Sequence, residues 1–499
     1  MLPVNCLSAG LAAGPGAASC YANCLLLQEN TVSHVPPSVS PRPVPQALHD
    51  ALQQRFGERC SAALAVRQQH GRDESPFDVD PPELVVFCES TEEVAFVLQQ
   101  AHAHAVPVIP YGAGSSLEGH LLAVQGGISL DVSRMSRVLQ VRENDLSVTV
   151  QAGVTREQLN SEIRHTGLFF PLDPGANASI GGMTATRASG TNAVRYGTMR
   201  ENVLALTVVT ADGRIVRTGT HARKSSAGYD LTRLFVGSEG TLGVITEITV
   251  RIYPQPEHVA AAVVQFPTIG DAVNTTIQII QLGVPIARCE LLDAHAVRAV
   301  NRYDKLELAE SPMLLMEFHG SAAGVQEQAE LVQEIAAGQG GSAFEWAHLP
   351  EDRNRLWKAR HNALFAGLQL KPGSRSVTTD TCVPISRLAE CVVETAQEAD
   401  ASGLPYMMVG HVGDGNFHML YLVDPAIPAE RALAESLNHR QAQRAIRAGG
   451  TCTGEHGIGL HKMDLLQEEA GEEAIDLMRT LKQALDPRNI LNPGKIFTL

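Results

Sequence analysis

The run VPVIPYGAGSSLEGH, residues 106–120, limits what this chain can fold into more than any other stretch. It reads as a strand entering Pro110, then a loop holding Gly112, Gly114, Ser115, Ser116 and Gly119. Small residues let successive backbone N–H groups turn toward one concavity, which is how loops hold pyrophosphate. Read as G-x-G ahead of Asp131, the stretch invites a dinucleotide-binding βαβ unit. Length argues against that unit. A parallel crossover takes about ten to twelve residues including its helix, and only eight, HLLAVQGG, separate Gly119 from Ile128. The loop therefore serves another nucleotide fold or is a tight surface loop. Two further segments favour the first reading. Residues 170–203 carry five glycines among many small residues, and FVGSEGTLGVIT, residues 235–246, repeats glycine with hydroxyl before a strand. Such stretches make poor cores by themselves but lie well against a flat, extended cofactor.

A different constraint comes from HVGDGNFH, His411 to His418. Asp414-Gly415 is a strong two-residue hairpin signal, because both turn positions tolerate φ > 0. With that turn, His411 faces His418, and directly opposed side chains have Cβ atoms about 5 Å apart. A carboxylate from TGEHGIG, around Glu455 and His456, would complete a divalent-metal site with an open position. The alternative is a polar hairpin whose histidines bond to the backbone.

At 499 residues the chain exceeds one core, so two or three domains are expected. Its net charge of −15, from 39 basic and 54 acidic residues, argues against a nucleic-acid surface. An anionic substrate would need locally placed Arg or Lys. Nine cysteines without a closely spaced framework fit a reducing compartment. No C-x-x-C-x-x-C run marks an iron–sulfur centre, so any electrons would leave through a separate partner. No stretch of eighteen uncharged apolar residues marks a spanning helix. The first basic residue is Arg42, which argues against a signal peptide or a mitochondrial presequence. Residues 1–43 read as a disordered leader or a start codon placed too far upstream, and the location expected is cytoplasmic, or peripheral on the inner face of the membrane.

Periodicity predicts helix 45–56, strand ELVVFCE, a helix opened by Ser90-Thr91 through Ala105, and strand VPVIPYG. Strands follow at ISLDVS, LSVTVQAG, LALTVVT and GVITEITVRIY, with a helix at 155–165. Beyond Glu257 helix 268–282, strand 287–292, helix 294–302, strand 313–319, helix 323–337, a strand near 342–347 and helix 351–369 predict helices on one face of a largely antiparallel sheet. A last helix, 463–485, ends at Asp486-Pro487.

RASGTNAVRYGTMR, FVGSEGTLG, GHVGDGNFH, TCTGEHGIG and LDPRNILNPGK together resemble the FAD-linked D-2-hydroxyacid dehydrogenases of the vanillyl-alcohol oxidase / p-cresol methylhydroxylase superfamily, cytochrome-linked D-lactate dehydrogenases above all. The likeness runs from Val66 to the C-terminus. It implies an α+β chain: a two-lobed FAD-binding domain over 44–257 (core about 80–257), a ferredoxin-like antiparallel cap carrying substrate and metal over 258–462, and a helix and tail, 463–499, returning to the flavin. By resemblance, Pro110, Gly112, Ala113, Gly114, Ser115 and Ser116 hold the FAD pyrophosphate. Asp173, Pro174, Gly175, Ser179, Gly181, Gly182, Thr186 and Gly190 line the isoalloxazine and ribityl region. Gly240 and Ile245 reach the adenine side, and Asn492 comes from the tail. Related enzymes that tether FAD use a His where this chain has Ser115, so non-covalent FAD is implied, with His120 structural.

In this group residues matching His411, His418 and Glu455 hold one divalent metal, Zn or Mn. His456 matches the base that takes the substrate's hydroxyl proton, and Arg360 an arginine gripping its carboxylate. Left open are a surface ion pair for Arg360 and a fourth-ligand role for His456. Leu364, Thr378 and Leu420 stand where the 2-hydroxyglutarate branch has polar groups, which favours a small or apolar-tailed monoacid such as D-lactate. Glycolate and other 2-hydroxyacids compete with it, and cytochrome c, a quinone or electron-transfer flavoprotein is the implied acceptor. Two other readings are a metallohydrolase built on the same trio and a silent FAD-binding protein.

Overall fold

The computed structural model describes residues 41–77, 79–222, 224–347 and 350–499, with the side chain of Pro350 left aside. Nearly all of the expected leader lies outside these residues. Its last part is ordered: Arg42 Nη2 donates to Gln125 Oε1 (2.8 Å) and to the Asn489 carbonyl (2.6 Å), tying the start of the described chain to its tail.

Two sheets build the first region. The smaller has the order Cys60–Ser61, Leu84–Phe87, Ile128–Asp131, Val108–Tyr111. Its last three strands are parallel, with Val108 opposite Ile128. The crossover limit drawn from length was too strict, because the 112–127 connection dispenses with a helix altogether. The dinucleotide reading fails instead on Asp131. That carboxylate is buried, 2.8 Å from His70 Nε2, and it accepts from Ser133 N–H (2.6 Å). Pro110 is tolerated because Val108–Tyr111 is an edge strand. The second sheet is antiparallel: Val138–Arg142, Ser147–Gln151, Val244–Arg251, Val203–Val209, Ile215–Gly219. The helix Thr91–His104 starts where Ser90 Oγ accepts from Glu93 N–H, as its capping pattern predicts. One core spans both sheets and takes in Ile490 and Leu491 of the tail.

The second region is one antiparallel sheet: Glu345–Ala347, His258–Gln265, Met313–Gly320, Arg288–Leu292, Tyr406–Gly410, Asn416–Val423, Arg375–Thr378. Helices cover both of its faces, not one. Ala262, Val264, Met408 and Met419 pack under Ile269–Gln281, Ala322–Gly338, Leu388–Ser402 and Pro428–Arg447. Val263, Leu292, Met407, Val409 and Leu420 face Ala294–Asp304, Pro350–His361 and Ala363–Leu368. The second layer went unseen because 351–369 reads as one helix, whereas it breaks at Asn362. The expected helix 463–485 also breaks, at Gly471 (φ +79°). The strand His258–Gln265, mostly alanine and valine, was missed.

Candidate active site

The glycine-rich segments, far apart in sequence, meet around the 110–120 loop. A Cβ at Gly112 would lie 2.6 Å from Ser179 Oγ, and one at Gly240 (φ +73°) 2.9 Å from Pro110 Cγ, so both approaches require glycine. Ser179 accepts from Gly182 N–H (3.2 Å), and Thr186 Oγ1 closes that short helix onto the Gly182 carbonyl. Gly181 packs on the Ala152 backbone and Gly190 on that of Asp173. Gly114 sits at the Tyr111 hydroxyl, Ser116 Oγ donates to Asp73 Oδ2 (3.0 Å), and Ala113 and Ser115 stay accessible between them. Pro174 is half-buried beside the exposed Gly175. From the tail, Asn492 Nδ2 donates to the carbonyls of His120 (3.1 Å) and Glu239 (2.8 Å). Two residues of the expected set are tied into the surrounding fold. Ile245 lies in the first core, and the Asp173 carboxylate accepts from Thr191 Oγ1, Asn192 N–H and Arg288 Nη2, joining the two regions. His120 is buried, 3.1 Å from Glu239 Oε2.

His411 and His418 do come together, by another route than the expected two-residue turn. His418 pairs with Val409, while His411 precedes the turn Val412–Asp414 in a longer loop closed by Gly415 (φ +81°). Their ring centroids are 5.5 Å apart. Glu455 Oε1 lies 3.3 Å from His411 Nε2 and 3.5 Å from His418 Nε2. Each Nδ1 has its own acceptor: the Glu290 carboxylate for His411 (2.8 Å) and the Thr379 carbonyl for His418 (3.0 Å). A carbonyl can only accept, so His418 carries its proton on Nδ1 and keeps the Nε2 lone pair free. Burial holds its pKa down to about 4, leaving the imidazole neutral. Burial also opposes the Glu455 charge, but His411 and His418 outweigh it and bring that pKa to about 2. Glu455 Oε2 is buried without a hydrogen-bond partner among the described residues. The free Nε2 lone pair of His418, the Nε2 of His411 once a cation takes the place of its proton, and an unsatisfied carboxylate oxygen fit a divalent cation, with the outer-shell acceptors that metal-bound histidines use.

His456 stacks on His418, with centroids 5.2 Å apart at 14°. The loop that presents it hangs on Asp380, whose Oδ2 accepts from Thr453 Oγ1 and from the N–H groups of Gly454, Glu455 and His456, all at 2.8–2.9 Å. Lys462, 1% exposed, neutralises this pocket with Nζ 3.1 Å from Glu118 Oε1 and 3.3 Å from the Asp380 carbonyl. Breaking a buried pair strands its partner's charge. Lys462→Met is therefore expected to destabilise the protein by about 3–5 kcal/mol, read as a lower urea midpoint; an unchanged midpoint would show that the pair contributes nothing net.

Arg360 lies on Pro350–His361, and its Nη2 pairs with Glu290 Oε2 at 2.7 Å, so its partner is a buried acid and not a surface one. Arg360 Nε is buried with no hydrogen-bond partner among the described residues. Strand alternation explains the meeting: Glu290 has the parity of Leu292 and His418 that of Leu420, both on the face covered by Pro350–His361. Glu290, Asp380 and Glu118 were not anticipated from the sequence. For Glu290 a signal existed, since a lone carboxylate inside the apolar strand RCELL is unusual unless paired; Asp380 and Glu118 sit in loops with no such pattern.

The chain is similar to known proteins over most of its length. Residues 82–219 match the FAD binding domain model, and residues 255–496 match that of the C-terminal domain of FAD linked oxidases. "Probable D-lactate dehydrogenase, mitochondrial" of Danio rerio is 52% identical over 445 residues, 89% of this chain and 90% of its own length. "D-lactate dehydrogenase [cytochrome], mitochondrial" of Arabidopsis thaliana is 46% identical over 455 residues, 91% and 80%. In fold, the chain is similar to p-cresol methylhydroxylase, with a TM-score of 0.75 at 16% identity over 92% of this chain and 99% of that one. The chain belongs to the FAD-linked oxidase family, on the p-cresol methylhydroxylase-type fold, and is an FAD-linked oxidoreductase of the group that contains the cytochrome-type D-lactate dehydrogenases.

Proposed function

We propose that the protein oxidises D-lactate, or a similar small D-2-hydroxyacid, to the 2-oxoacid. One observation carries the reading: Glu290 bonds both to Arg360 and to His411, so a carboxylate clamp and a metal trio share one buried face. FAD would be held non-covalently by the Pro110–Ser116 loop with Ser179–Gly182, Gly240 and Asn492, and would supply the acceptor for the substrate's Cα hydrogen as hydride. His411, His418 and Glu455 would hold a divalent ion, Zn or Mn, which would supply Lewis acidity at the α-hydroxyl. Arg360 meets the carboxylate through the donors that Glu290 leaves free, a planar fork that Lys lacks. His456 removes the hydroxyl proton as general base. The hydride and that proton balance the two-electron oxidation. For this purpose the chain divides near residues 257 and 462, and the tail completes the flavin site.

Leu420, 4% exposed, lies in the apolar cluster with Trp357, Ala359 and Ala363 around the Arg360 helix. An apolar wall offers nothing to a second carboxylate, so D-lactate is expected to exceed D-2-hydroxyglutarate in kcat/KM, with glycolate as the second reading. A dye-coupled comparison of the three tests this; a preference for the diacid would contradict it. We assign re-oxidation to a cytochrome, as the names of the relatives fit, with quinone and electron-transfer flavoprotein as other acceptors. An acidic enzyme and a basic cytochrome attract, so turnover should fall as salt rises. No helix among the described residues is long and apolar enough to cross a membrane. The expected cytoplasmic location stands beside the mitochondrial one in the relatives' names, and fractionation of the native source separates them.

A further inference from the structure

We infer that Glu118 is the positioning residue for His456, holding its ring so that Nε2 faces the substrate. The inference rests on the proposed role of His456 and extends it to a residue of the cofactor loop. His456 Nδ1 is buried with no hydrogen-bond partner among the described residues. Two carboxylates face it, Glu118 Oε1 at 3.6 Å and Asp380 Oδ2 at 4.0 Å. The Asp380 oxygen that faces the ring has no capacity left for it. Asp380 Oδ2 already takes Thr453 Oγ1 and three backbone N–H groups, and Oδ1 takes Asn416 Nδ2 at 2.7 Å.

Glu118 is aimed rather than saturated. His461 Nδ1 holds its Oε2 at 2.9 Å and Lys462 Nζ its Oε1 at 3.1 Å, which leaves Oε1 directed at His456. The carboxylate is buried and ionised, because Lys462 and the two histidines outweigh the desolvation that opposes its charge. A shift of under an ångström closes the 3.6 Å gap to a hydrogen bond, and such bonds commonly tighten only once substrate is bound. With Nδ1–H given to Glu118, the basic lone pair is on Nε2, and the imidazolium formed on proton uptake meets a fixed counter-charge. The Glu118 carbonyl also accepts from Leu460 N–H (2.8 Å), so the loop expected to hold the pyrophosphate and the loop carrying the base are fastened at one residue.

Glu118→Gln keeps the shape and removes the charge. Purified with FAD and metal, and mixed anaerobically with D-lactate, it is expected to reduce flavin about 10–100-fold more slowly than wild type. Its FAD content, metal content and affinity for oxalate, a dianion used as a substrate-shaped probe, should be unchanged. Reduction at the wild-type rate would overturn the inference. A joint loss of FAD, oxalate affinity and rate would also overturn it, by showing a merely structural role. If the Gln variant does not fold, Glu118→Asp keeps a negative charge in the pocket for Lys462 but draws it back by one methylene from His456, already 3.6 Å away, and the same slowing is expected; a wild-type rate there overturns the proposal. Wild-type enzyme that D-lactate and other 2-hydroxyacids fail to reduce would instead sink the functional reading itself.

Discussion

Glu455→Ala is expected to leave the flavin bound, lower the metal content to background, and cut hydroxyacid oxidation by more than about 100-fold, beyond the roughly 10–100-fold typical of losing an outer-shell partner. Its Oε1 is the oxygen to which both imidazole Nε2 atoms point, at 3.3 and 3.5 Å, and no other carboxylate groups with those two nitrogens among the described residues. Two neutral imidazoles alone hold a divalent ion weakly. The charge balance points the same way: burial disfavours a His411 cation, yet Glu290 and Glu455 raise its pKa well above the usual imidazole value. The pocket calls for positive charge, which a metal supplies better than a proton. Elemental analysis with turnover checks this. A variant that keeps both metal and rate would remove Glu455 from the site.

His456→Gln should keep FAD and metal and slow flavin reduction by about 10²–10⁴-fold, the usual worth of a positioned general base. The stack on His418 places the ring against the trio. Burial lowers its pKa, but Asp380, Glu118 and Glu455 outweigh this and raise it above the ordinary 6.5. A base works only when unprotonated. In wild type kcat/KM should therefore fall as pH drops through an apparent pKa above 6.5, and His456→Gln should lose that limb. A variant slowed less than tenfold, with the limb retained, would assign the proton to another group.

How far the sequence discloses the site differs from residue to residue. His411, His418, Glu455 and His456 were legible as residue types in two glycine-rich segments, and the structure brings them together. The register was not legible, because G-D-G-N closes several turns equally well; the chain uses the longer loop, with His418 opposite Val409. Glu290, Asp380 and Glu118 show the deeper limit. Each acts through partners roughly 35 to 340 residues away, as with Glu118 and His461, and no local pattern encodes such a pairing. The helices were legible where caps mark them, as at Ser90 and Thr155, and misread where a break such as Asn362 or Gly471 interrupts an otherwise continuous pattern. Helices on both faces of the large sheet follow from strands apolar on both sides, a pattern that alternation alone hides.

The most direct test of the central claim is the visible spectrum of the purified, metal-loaded protein, recorded anaerobically before and after D-lactate and then L-lactate. Flavin bands are expected that D-lactate bleaches, that L-lactate leaves in place, and that D-lactate no longer bleaches once a chelator has removed the metal. Bands that persist with D-lactate and with other small D-2-hydroxyacids, in protein shown to hold FAD and metal, would contradict that claim.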